Sequence, residues 1–333
     1  MKISATSPLW ANIFMLSILI FSIIVSVFVL PGIFLMHYFI TGNELVMPAW
    51  AGLILSQAGI IGIPCAVYLI IQRKNIREIL PMRRLGWENW LFIIGLSLAI
   101  YPVGNFINVI TSMIFGSPID ATINEVMETG GIWMMLALFP ILPSIFEEVA
   151  LRGIVFTGYR KVKIFAAAMV NGLFFGILHQ NFNQFSYAFL LGVFMCYFIY
   201  YTKSIWAPVL SHVVINATAV LLMGVFTLIG GGEMAAYDPY MPMPSDSTIM
   251  LIGLLFWGFL AIVGAGIFVA LYIPFRNHNL RRNQLEGVIT DEHAAAVAEG
   301  ERTPSAFGIS FWVVIIVGFL IMAILQILMW MVG

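Results

Sequence analysis

Residues 132–153, IWMMLALFPILPSIFEEVALRG, decide what kind of molecule this is. The stretch opens without a single charge and reads as a helix in lipid or in a core. It then places Glu147, Glu148 and Arg152 close together within FEEVALRG, residues 146–153. On insertion scales each charge at mid-membrane costs roughly 2.5–3.5 kcal/mol, and three without partners on the order of 8–10 kcal/mol. Glu148 and Arg152 stand at i, i+4 with the acid first, the favourable order on a helix. Glu147 lies about 100° around the helix from Glu148 and is free to face elsewhere. On the motif alone, an ion pair locking two helices together accounts for these charges as well as a functional site does.

The rest of the chain makes the membrane reading firm. Of 333 residues, 61% are hydrophobic and 9% charged, and the mean hydropathy is +1.00. A soluble domain carries roughly 25% charged residues. The expected fold is therefore all-α, a polytopic transmembrane helical bundle. The net charge of −1 names no partner, and nothing in the sequence signals nucleic acid. The two cysteines, Cys65 and Cys196, lie in apolar runs, which excludes a disulfide framework and a cysteine-built zinc site.

A span needs about 20 apolar residues. Nine segments qualify, at 11–40, 48–71, 88–115, 131–157, 163–179, 184–201, 205–230, 248–275 and 309–332. The first is too long for a signal-peptide core and is read as a retained helix. With nine spans, all fourteen Lys and Arg other than Arg152 fall on one side. The opposite loops hold only acids: Glu44, Asp120, Glu125, Glu128, Glu233, Asp238 and Asp246. By the positive-inside rule the N-terminus is expected in the cytoplasm and the C-terminus outside, in the plasma membrane of a prokaryote. The expected organisation is helices one to three in 1–130, a core of helices four to seven in 131–230, and an outer loop with the eighth helix in 231–275. A polar cytoplasmic loop at 276–308, partly helical around DEHAAAVAEG, and a ninth helix in 309–333 complete it.

Two more polar sets lie in the spans. LFFGILHQ puts His179 four residues after Phe175, and SHVVIN puts His212 and Asn216 at i, i+4 on one helix face. Gly172 and Gly176 allow the fifth helix a close approach to a neighbour. A carboxylate helped by a neutral imidazole can deprotonate a water, and Asn and a second His can donate to an oxyanion. That is a kit for amide hydrolysis. Glu147, His179 and His212 could also hold zinc; HExxH is absent, and the residues leave the two mechanisms open. A proton-coupled transporter, relaying protons through the same groups, and a catalytically silent scaffold or bacteriocin-immunity protein are the competing readings. Counted at 1.5 Å per residue, His212 lies about 13 Å in from Lys203, Glu147 about 20 Å in from Arg160 and His179 about 24 Å in from Lys163. One site requires a tilt or a helix break near Gly153 or Gly158.

These three motifs, Glu147-Glu148-xxx-Arg152, Phe175-xxx-His179 and His212-xxx-Asn216, resemble those of the CAAX protease and bacteriocin-processing family of intramembrane endopeptidases. The resemblance covers about residues 131–230. It implies that Glu147 is the catalytic base, that His179 works with it on the water, and that His212 and Asn216 form the oxyanion site. Arg152 would orient the glutamates, with Glu148 supporting. It further implies a membrane-associated peptide or protein substrate within the bilayer and an eight-helix core to which a ninth helix is added. The expectation is that no cofactor is required, with zinc as the alternative.

Overall fold

The computed structural model describes residues 7–73, 76–117, 120–229 and 247–332. Lys2, Lys74, Glu233, Asp238 and Asp246, which entered the charge count along the chain, lie outside them. Among the described residues the chain is helical, and its one strand-like feature is an isolated bridge between Met82 and Ser204. Lipid supplies no hydrogen bonds, so each crossing segment must satisfy its own backbone, and helices do so.

Among the described residues, eight helices are long and apolar enough to span a membrane. They are α1 (Pro8–Thr41), α2 (Ala49–Ile71), α3 (Trp87–Phe115), α4 (Ala121–Gly158), α6 (Phe182–Thr202), α7 (Trp206–Val225), α8 (Leu251–Leu285) and α9 (Ile309–Met331). The expected fifth span is α5 (Ile164–Leu178), an apolar helix of 15 residues. At 1.5 Å per residue it reaches about 22 Å, less than the hydrocarbon core. The expected α4 begins ten residues later than the observed helix, which is interrupted at Gly131, where φ is 61°. The eighth helix does not stop at residue 275 but continues through Arg276 to Leu285, because nothing between them breaks a helix once it leaves lipid.

Helix contacts follow the small residues. A side chain on Gly172 would meet the Phe189 carbonyl at 2.7 Å, and one on Gly176 the Phe185 carbonyl at 2.9 Å. On α6, Gly192 faces Gly172. The expected close approach therefore exists, and it is α6 that α5 approaches. Buried polar pairs join other helices: Asn89 on α3 exchanges two hydrogen bonds with Asn279 on α8 at 3.0 and 2.7 Å, and Ser97 on α3 donates to Ser211 on α7 at 2.8 Å. Such pairs act as glue where apolar contacts alone do not discriminate.

At the end that carries the cationic loops, the polar stretch after α8 is strapped onto the bundle. Its short helix Glu292–Ala298 is capped by Asp291, which accepts from Ala294 N–H at 3.0 Å. Glu292 pairs with both Arg160 and Lys203 at 3.4 Å, Glu286 with Arg83 at 2.5 Å and Arg282 at 3.0 Å, and Lys161 with Glu301.

Candidate active site

The acidic pair sits where α4 changes its winding. Leu142–Glu148 is α-helical, whereas Ala137–Ile141 before it and Val149–Val155 after it are π-helical. In α2, Leu55–Ile61 is π-helical too. Short π segments often mark functional sites, and here side chains settle the carbonyls they disturb. Pro143 has no N–H to offer the Phe139 carbonyl four residues back, and Asn216 Nδ2 donates to that carbonyl at 3.1 Å. The Leu151 carbonyl receives Asn171 Nδ2 at 3.1 Å, from α5.

Glu148 and Arg152 are wholly buried, and Arg152 Nη1 donates to Glu148 Oε1 at 2.8 Å. The i, i+4 pairing expected from the sequence is present. His212 joins it, its Nδ1 2.9 Å from the same carboxylate oxygen. A carboxylate only accepts, so Nδ1 carries the proton and His212 Nε2 faces onward. Arg152 also donates to the Gly192 carbonyl at 3.3 Å, within reach because α6 packs so closely. Its guanidinium stands 4.6 Å from the centre of the Phe175 ring, a favourable cation–π contact. The same ring meets His212 and His179 edge-on, at 5.6 and 4.9 Å between centres.

Glu147 is 6% exposed. Gln57 Nε2, from α2, donates to its Oε1 at 2.9 Å. Its Oε2 has no protein partner and lies 3.9 Å from His212 Nε2. His179 ends α5; its Nδ1 is 2.8 Å from the Phe175 carbonyl, so this nitrogen donates and Nε2 keeps its lone pair. The following Gln180 takes a left-handed φ of 55° and is tied to Ser22 of α1 at 2.8 Å.

Glu147, His179, His212 and Asn216 line one cavity of about 560 Å³, together with Gln57 and Tyr187. This volume is in the range of small-ligand pockets. The unequal depths counted along straight helices therefore do not separate the motifs; α4 leaves regular α winding just after Glu148. The grouping differs from the expected one. His212, rather than His179, stands nearest Glu147, and Asn216 spends one amide hydrogen on Phe139.

Tetrahedral ligands about 2.0–2.2 Å from zinc lie roughly 3.4 Å apart. Glu147 and His212 are 3.9 Å apart, and among the described residues no three His, Cys, Asp or Glu side chains converge in a metal-holding group.

Sequence reasoning missed Gln57 and Asn171. Both are polar residues inside apolar spans, and an intramembrane polar residue is a site candidate by default.

Residues 129–218 match the model of a protein family described as type II CAAX prenyl endopeptidase Rce1-like. All three motifs fall inside that segment, and Gln57 falls outside it. The chain is 25% identical over 124 residues to the "Putative membrane peptidase YdiL" of Bacillus subtilis (strain 168). That match takes in 37% of this chain and 47% of the relative, so the chain spans about half the length of the curated relative it matches. No solved structure matches it.

Proposed function

We propose, from the match of residues 129–218 to the CAAX protease family and from the geometry around Glu147, that this integral membrane protein is an intramembrane endopeptidase. It hydrolyses a peptide bond in a membrane-associated peptide or protein. The observation that carries this reading is the state of Glu147. One carboxylate oxygen is held by Gln57, and the other, unpartnered, faces an imidazole across 3.9 Å in a cavity able to admit a peptide.

Two hydrogen-bond acceptors facing each other at that distance favour a donor between them, and a water supplies two protons. Glu147 takes one proton as the water oxygen bonds to the scissile carbonyl carbon, and the carbonyl oxygen becomes an oxyanion. His212 Nε2 accepts a hydrogen bond from the water's other O–H and so holds the attacking oxygen in place, and Asn216 offers its second amide hydrogen to the oxyanion. Glu147 then passes its proton to the amide nitrogen as the C–N bond breaks. Glu148 and Arg152 fix His212, and His179 lines the same cavity. No step is assigned to a metal.

Glu147→Gln keeps shape and one hydrogen-bonding face but cannot take a proton. Turnover of a membrane-anchored reporter peptide should fall by about 10²–10⁴, with an unchanged melting temperature in detergent. Near-normal turnover in a folded Glu147→Gln protein rules this mechanism out. Added chelator should leave turnover of the parent protein within about two-fold of the untreated rate, because this reading assigns no step to a metal; chelator-sensitive cleavage restored by zinc would overturn that part.

A further inference from the structure

Among the described residues, the cavity lining reaches toward one end of the bundle, and that end lies away from the cationic loops. Its walls run from Glu147 and His212 up to Ser117 after α3, Ile123 at the start of α4, and Gln180, Asn183 and Gln184 at the α5–α6 turn. None of its lining comes from residues 72–87, 159–163, 202–206 or 276–308, the segments at the other end. That other end is closed by backbone and side-chain bonds. Ser204 Oγ donates to the Arg83 carbonyl at 2.6 Å, Ile205 N–H to the Pro81 carbonyl at 2.8 Å, and Asn283 Nδ2 to the Tyr201 carbonyl at 2.8 Å. Tyr159, Ser204 and Asn279 there are completely buried.

The lining also has a definite chemistry. Among the described residues it contains no Lys or Arg, and Glu147 is its one acid. Its wall also carries neutral polar groups: Asn108, Ser117, Asn183, Gln184, Ser22 and Ser56. Arg152 is sealed beneath the floor by Glu148 and contributes nothing to the wall. A chain end bearing a free carboxylate would meet no cation here and would face the Glu147 carboxylate. An internal stretch of uncharged peptide meets side-chain amides and hydroxyls able to bond its backbone.

We propose that substrate enters this site from the face of the membrane opposite the cationic loops, the outer face by the positive-inside rule, and that what enters is an uncharged internal segment of an outward-facing, membrane-anchored peptide rather than a carboxylate-bearing chain end. The word substrate rests on the peptidase reading; the test of the entry side and of the ligand chemistry does not need cleavage.

Ala219 lines the cavity and is exposed; Leu285, 88% exposed, marks the other end. Each is changed in turn to cysteine, Ala219→Cys or Leu285→Cys, in a chain whose two buried native cysteines are replaced by alanine. A membrane-impermeant maleimide is applied to intact cells and to inside-out vesicles. Ala219→Cys should react in cells and not in inside-out vesicles, and Leu285→Cys the reverse. The opposite pattern, reaction of Ala219→Cys from both sides, or no reaction from either, overturns the entry side. A neutral Ala/Ser/Leu peptide is then added with an amidated or a free C-terminus. The amidated form should protect Ala219→Cys at a concentration at least ten-fold lower. Equal protection, preference for the free carboxylate, or protection by neither overturns the ligand chemistry. If labelling and protection follow expectation while Glu147→Gln retains full cleavage, the catalytic reading fails and the entry side stands.

Discussion

Where the cationic loops gather, charged side chains find one another. Glu292 bridges Arg160 and Lys203, and Glu286 bridges Arg83 and Arg282, all with some access to water. Within the membrane, at the floor of the cavity, four polar atoms of one side-chain cluster have no partner: Gln57 Oε1, Glu147 Oε2, Glu148 Oε2 and Arg152 Nε. The first arrangement is cheap, since exposed pairs are worth about 0–1 kcal/mol and cost little to solvate. The second is expensive, because buried groups left unsatisfied cost about 1–3 kcal/mol each, more when charged. Two guanidinium nitrogens at the loop end, Arg83 Nη2 and Arg282 Nη1, are also buried without a hydrogen bond, but both side chains pair with Glu286 near water. Among the described residues the buried unpartnered carboxylate oxygens lie at the cavity floor, where the proposed peptidase reading needs them.

The sharpest way to break this contrast is at the buried pair. Glu148→Gln leaves Arg152 without its counter-charge in a fully buried place, and loss of one partner of such a pair costs about 3–5 kcal/mol. The variant should lose much of its folded yield and melt well below Glu147→Gln in a detergent thermal scan. A Glu148→Gln protein as stable as the parent would mean that Arg152 has another anion, and the comparison would collapse.

A smaller effect is expected at Gln57. Its amide positions Glu147 without touching the reacting atoms. Hydrogen bonds to charged groups contribute about 1.5–3 kcal/mol, so Gln57→Leu should lower kcat by roughly 10–100-fold with little change in KM. An unchanged kcat would reduce Gln57 to packing.

The smallest effect belongs to the opposite end. Hydrogen bonds from Arg282 and Arg83 hold the Glu286 carboxyl below its usual range. A carboxylate lowered in the folded state stabilises above its unfolded pKa, about 4.3, and loses that contribution as pH falls through the folded value. The small gap in melting temperature between the parent and Glu286→Gln should therefore be present at pH 7 and close on acidification below about pH 4. A gap that widens in acid contradicts the sign.

The bundle and its three motifs were legible in the sequence for one physical reason. Lipid tolerates few charges, so long apolar runs reveal helices, and the charges that interrupt them are conspicuous. The Glu148–Arg152 pair was legible because both partners lie on one helix, four residues apart. The role of Gln57 was not, because its partner is 90 residues away and only the packing of α2 on α4 brings them together. Nor was the pairing of His212 with Glu148, since spacing along α7 relates His212 to Asn216 and says nothing of α4. The π-helical turns escaped for a related reason: hydrophobic spacing was read against a 3.6-residue period, and a local widening leaves no mark on such a short stretch.

That widened turn at Val149–Val155 has a consequence for counting. A π turn holds more residues than the α turn it replaces, so it acts as an insertion absorbed inside a helix. Removing one residue there would let the segment relax to ordinary winding and leave the flanking turns nearly in phase, whereas the same deletion in a regular α-helix would turn everything before it by about 100°. In a regular helix that deletion would carry Glu147 off the cavity wall and Glu148 away from the guanidinium; in the π turn it would not. A related chain one residue shorter at this turn can thus keep the same carboxylate at the cavity.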